Sequence, residues 1–109
     1  MELSEIAEKL ETIGIPVAYL QFKKPQSLPF IVYYEAGTEV KGADHYNLYR
    51  DVTVVVELYA ENKQPQLERQ IENLFRDREI DKSPDIYIED ENMYMTTFSF
   101  NIDQFIEEE

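Results

Sequence analysis

Cysteine and tryptophan are absent from the 109 residues and histidine occurs once. Each gap removes a class of chemistry. Without thiols there is no disulfide framework and no thiolate zinc site, so the fold must be held by its own core whatever the redox compartment. A single imidazole, His45 beside Asp44, cannot assemble a histidine metal set, and a lone loop histidine is more often exposed decoration than a base. The three glycines, Gly14, Gly37 and Gly42, match neither a dinucleotide fingerprint nor a phosphate loop. No stretch approaches the roughly 18 apolar residues of a membrane span. The segment Met1 to Leu10 is acidic and amphipathic where a secretion signal is basic and then apolar. These gaps lead to the expectation of a soluble protein made in the cytoplasm, without cofactor, metal or membrane partner.

Positive charge is also scarce, with 10 bases against 23 acids and a formal net charge of −13. Phosphate backbones are repelled by such a surface, which argues against sequence-specific nucleic-acid binding. The imbalance concentrates in residues 81–109, where nine acids face one base, Lys82. That run reads either as solvated surface with an acidic tail over about residues 103–109, or as a surface that keeps DNA from sticking. The acids Asp81, Asp85, Glu89, Asp90 and Glu91 lack the spacing and central glycine of a calcium loop.

What is present is amphipathic patterning over residues 1–109, one domain of a size that buries about 60 to 70 % of its unfolded surface. Leu3, Ile6, Ala7, Leu10 and Ile13 form a helical stripe that ends at Ile13 or Gly14, before Pro16. Val17 to Phe22 predicts a short strand, Lys23 to Pro29 an exposed loop, and Phe30 to Glu35 a second strand. Ala36 to His45 reads as a long loop, either floppy or functional. Pro65 opens a second helix with Leu67, Ile71, Leu74 and Phe75 inward and Glu68, Arg69, Glu72, Arg76 and Asp77 outward. Ile86 to Glu89 and Met93 to Ile102 predict two closing strands, the latter with Tyr94, Thr96, Phe98, Phe100 and Ile102 on its core face. The order α-β-β-β-α-β-β, with links mostly too short for parallel crossovers, predicts an α+β domain: two helices on one face of a mostly antiparallel sheet.

The run Tyr46 to Tyr59 alternates as one strand, with Leu48, Arg50, Val52, Val54, Val56 and Leu58 inward. Fourteen residues span about 46 Å, whereas a compact chain of this length has a diameter of roughly 34 Å. Its end must therefore project as a long hairpin unless a bulge folds it back, and neighbouring copies are the natural cover. Eight tyrosines suit interfaces, though they also suit strands in general. The candidate interface residues are Tyr33, Tyr49, Asp51, Thr53, Glu57 and Tyr59, all assigned to an outward face.

Three groups of phrases carry a resemblance that covers nearly the whole chain. They are Gly14-Ile15-Pro16-Val17-Ala18-Tyr19, Pro29-Phe30-Ile31-Val32-Tyr33-Tyr34, and Gly42-Ala43-Asp44 with Tyr46 soon after. Val56-Glu57-Leu58-Tyr59-Ala60 and Tyr87 to Tyr94 extend it. Together they resemble small tail proteins of phages and prophages of Gram-positive bacteria, of the tail terminator or tail completion type. The resemblance implies a virion structural protein without catalytic residues. Its copies would form a homo-oligomeric ring, commonly of six subunits, at the head-proximal end of the tail. That ring would contact the tail tube protein and the head-tail connector. Three other expectations stand beside it: a head-tail connector of similar fold, an acidic DNA mimic that inhibits a host DNA-binding protein, and, ranked last, a hydrolase with paired carboxylates.

Overall fold

The first helix, α1 (Leu3–Glu11), buries Ile6 and Leu10 and starts where the Glu2 N–H donates to the Glu5 carboxylate at 3.2 Å. It stops two residues short of Ile13, because Thr12 and Ile13 donate back three residues rather than four and tighten the last turn. Gly14 then takes φ +93°, a left-handed backbone that disfavours any side chain. The computed structural model describes residues 1–43 and 47–106.

Strand β1 (Val17–Tyr19) is shorter than the expected Val17 to Phe22. Leu20 turns away at φ +68°, its N–H donating to the Tyr33 carbonyl at 2.8 Å. The next strand, β2 (Phe30–Ala43), lies parallel to β1 with Val17 opposite Ile31. Parallel pairing across a helix-free loop departs from the general expectation for short links, since such a crossover normally takes a dozen residues or more.

The predicted loop Ala36 to His45 is largely strand. Through Ala43 it belongs to β2, which pairs with β3 (Asn47–Ala60) from Phe30↔Tyr59 to Ala43↔Asn47. Glycines at 37 and 42 weaken the local strand signal, but a long central strand offers its whole edge and draws its neighbour along it. A bulge between Glu35 and Gly37 absorbs Ala36. Asp44, His45, Tyr46 and the Glu107 to Glu109 tail lie outside the described residues.

Helix α2 (Pro65–Leu74) follows, then β4 (Asp81–Lys82), β5 (Ile86–Ile88), a short 3-10 turn (Glu89–Glu91) and β6 (Met93–Ile106). The two-residue β4 was not anticipated, and β6 runs four residues past its predicted end. β6 pairs antiparallel with β3 from Ala60↔Tyr94 to Leu48↔Ile106. The sheet order is β1-β2-β3-β6-β4, with β5 also on β6. The α+β architecture, with a mostly antiparallel six-stranded sheet, is as expected.

Both helices pack on one face. Ile6, Leu10, Ile71 and Phe75 meet the even positions Val52, Val54, Val56 and Leu58 of β3 and Phe98, Phe100 and Ile102 of β6. Cover thins beyond Val52, since on the same face Val40 is 58 % exposed and Arg50 is exposed, while Gln104 opposite Arg50 is still buried. Beyond that point β2, β3 and β6 continue as a three-stranded ribbon. The described residues measure 51 × 28 × 25 Å, with a radius of gyration of 15.6 Å, against about 13 Å for a compact chain of this length.

Candidate assembly surfaces

The odd positions of β3 line the sheet face away from the helices. Tyr49, Asp51, Thr53, Glu57 and Tyr59 all sit there, half-buried. Tyr33 does not. It pairs with Val56, is 8 % exposed and belongs to the helix-side core, edge-on to Tyr19 at 5.2 Å. Burial, then the nearby Glu11, pushes its phenol above its ordinary range. The outward assignment fails because alternation alone gives two faces without saying which one meets the helices. Tyr34, not singled out by pattern, faces outward instead.

Glu57 is the hub of that face. Its carboxylate accepts from the Tyr59 hydroxyl at 2.9 Å and the Tyr34 hydroxyl at 3.2 Å. Burial first, then the bond to Glu57, drives the Tyr59 phenol far above its ordinary range, and Tyr34 is raised for the same reasons. Tyr59 in turn stacks on Phe30 with ring centroids 5.0 Å apart. Further out, Glu39, Asp51 and Asp103 lie side by side across the three strands. Asn101 Nδ2 donates to Asp51 at 2.8 Å, and Lys41 Nζ lies 3.5 Å from Glu39 and 3.9 Å from Asp51.

A buried ionic cluster under α2 was missed by patterning. Glu68, expected on the outer face, is 2 % exposed and receives Lys82 Nζ at 2.6 Å and Lys63 Nζ at 2.9 Å. Lys63 also meets Asp85 at 2.7 Å, and Asp85 accepts from the buried Thr96 hydroxyl at 2.9 Å. Burial pushes the Glu68 carboxyl up, but the hydrogen bonds from Lys82 and Lys63 together outweigh it and hold the acid below its ordinary range. Lys63 holds Asp85 down as well, and both lysines are raised in return. Glu72 meets Lys82 at 3.3 Å. Three carboxylates share two ammonium groups, and the cluster fastens the 81–85 segment to α2.

A cleft of about 450 Å³ lies where the 20–29 loop folds over the sheet end. Phe22, Phe30, Val32 and Tyr59 form its floor, and Lys23 and Lys24 stand exposed on its rim. The paired lysines and the two prolines of Lys23 to Pro29 signal a loop, and nothing local says what that loop covers. Among the described residues no three His, Cys, Asp or Glu groups could share a metal ion, and every buried side-chain nitrogen or oxygen has a partner. No helix is long and apolar enough to cross a membrane.

No protein-family model matches the chain, and no curated protein matches it.

Proposed function

We propose that the protein is a non-enzymatic virion subunit of the tail terminator type. Its copies close into a ring on the head-proximal end of a phage tail tube, where the ring stops tube growth and offers the surface for joining the head. The observation that carries this reading is the three-stranded ribbon, which runs past the helix-covered core and leaves Val40 and Arg50 exposed on the helix side. Projecting strands of this kind offer faces and an edge that neighbouring copies can cover by packing side by side. A ring needs each copy to join one surface to a different surface of the next until rotation closes it. The net charge of −13 supports a lumen through which DNA slides without binding, because carboxylates repel phosphate over roughly a Debye length.

The test is light scattering and electron microscopy of the protein alone and with purified tail tubes. Rings, free or on tube ends, are the expected result. A single copy that never caps a tube counts against the reading, and attachment to heads in preference to tubes favours a connector. Salt-sensitive capture of a host DNA-binding protein, with no tube binding, favours the acidic mimic.

A further inference from the structure

The two unlike surfaces that a closing ring requires are both present on one copy. We propose that the lysine-rimmed cleft of the 20–29 loop receives the acidic outer face of the ribbon from a second copy of this chain. The inference rests on the ring reading and names its contact.

Glu39, Asp51 and Asp103 stand in register on three adjacent strands, with Glu39 opposite Asp51 and Asp51 opposite Asp103. Like charges directly opposite across strands are destabilising. Lys41 and the amide of Asn101 offset only part of this, leaving three carboxylates against one ammonium. At the other end of the same face, Lys23 and Lys24 have no carboxylate of the described residues within 4 Å. They rim an apolar cleft floored by Phe22, Phe30 and Tyr59. Leu20 adds an apolar edge, 60 % exposed and held at φ +68°.

The two surfaces cannot meet within one copy. Asp51 and Tyr59 are separated by about 26 Å of extended strand, and strands do not fold back on themselves. A second copy set alongside and displaced along the strand direction brings its acidic row to the lysines. Tyr49, on the ribbon, is then near the aromatic floor. Because donor and acceptor surfaces differ, each copy keeps one of each free for the next, as ring closure demands.

Charge reversal separates the possibilities. Lys23→Glu with Lys24→Glu reverses the loop, and Glu39→Lys with Asp51→Lys reverses the ribbon. Each variant is first shown to fold by circular dichroism, then assembled alone and on tail tubes. Either reversal should raise the concentration for half-assembly by about tenfold or more. A chain carrying all four changes should recover assembly, as should an equimolar mixture of the two reversed chains in rings of even number. A loop-reversed chain that assembles like the wild type overturns the inference while leaving the ring reading intact. So does a folded fourfold variant that fails to recover, or a loop reversal that alters only DNA retention in intact rings. Wild-type protein that never assembles overturns both.

Discussion

Glu68 shows how much one residue can alter the account of a helix. On a helical wheel it lies beside Arg69 and Glu72 on what patterning assigns to solvent, yet it is 2 % exposed and held by two lysines. Removing Glu68 takes away the one buried charge of the cluster, and the partly exposed Lys63 and Lys82 keep Asp85 and Glu72. Glu68→Ala should therefore cost about 2 kcal/mol at neutral pH, less than the full penalty for breaking a buried pair. Urea unfolding measures it, and an unchanged midpoint would show the cluster to be idle. The pH dependence follows from the same contacts. Glu68 and Asp85 have lowered folded pKa values, so the unfolded chain binds protons first as pH falls. Their stabilisation is complete above about pH 5 and is lost on going through and below about pH 4. Lys63, Lys82 and Tyr59 are raised, so their contribution is complete below about pH 9 and is lost as pH rises beyond about 10. A plateau with falls on both sides is expected, and Glu68→Ala should shrink the acid-side fall. Glu57 carries a different lesson. It faces away from the core, but it holds two tyrosine hydroxyls, so Glu57→Lys should cost about 1 to 3 kcal/mol in thermal or urea unfolding. Asp51→Lys, at a more exposed position, should leave stability nearly unchanged.

At the scale of elements, β3 is the organising strand, flanked along its full length by β2 and β6. Val54 lies at its centre with no exposed surface. Val54→Asp buries a carboxylate without a partner, which costs several kcal/mol against a total stability of about 5 to 15 kcal/mol. The chain should be unfolded or close to it by circular dichroism at room temperature, and near-native melting would contradict the observed register. This register was legible beforehand because Val52, Val54, Val56 and Leu58 alternate without a break. Both helices were legible too, from stripes such as Leu67, Ile71, Leu74 and Phe75. Three features were not. The Ala36 to Ala43 part of β2 hides behind two glycines and owes its form to the neighbouring strand rather than to its own residues. The parallel pairing of β1 depends on where the 20–29 loop goes, which no local pattern encodes. Tyr33 and Tyr34 are adjacent and alike, so only the pairing of Tyr33 with Val56 says which one enters the core. Of the candidate interface, five of six residues share the outward face, while the cleft at one end of that face joins Tyr59 to Phe22 and Phe30, residues too far apart in the chain to announce a surface.

For the whole molecule, the long axis of 51 Å has a cause that can be removed. The apolar core runs to Val52 and Ile102, both almost fully buried, and the paired strands continue past Glu39 and Asp51 to Ala43 and Asn47. Glu39 and Asp51 are paired neighbours, which makes them suitable flanks for a two-residue Asn-Gly turn replacing residues 40–50. The shortened chain keeps the buried apolar residues that α1 and α2 pack on and loses the strand partners of Gln104 to Ile106, so its melting temperature should fall by no more than about 4 to 8 °C, equivalent to about 1 kcal/mol for a domain of this size. Small-angle scattering of single copies should show a radius of gyration falling from the extended parent toward about 13 Å. Ring formation and tube capping should be lost, because Tyr49 and the projecting ends of β2 and β3 go with the excised tip even though Glu39, Asp51 and Asp103 remain. If the shortened chain unfolds, the ribbon is part of the folding core and its projection is not free for partners. If it folds and still caps tubes, the projecting strands are dispensable, and the ring must be sought on the helix face instead.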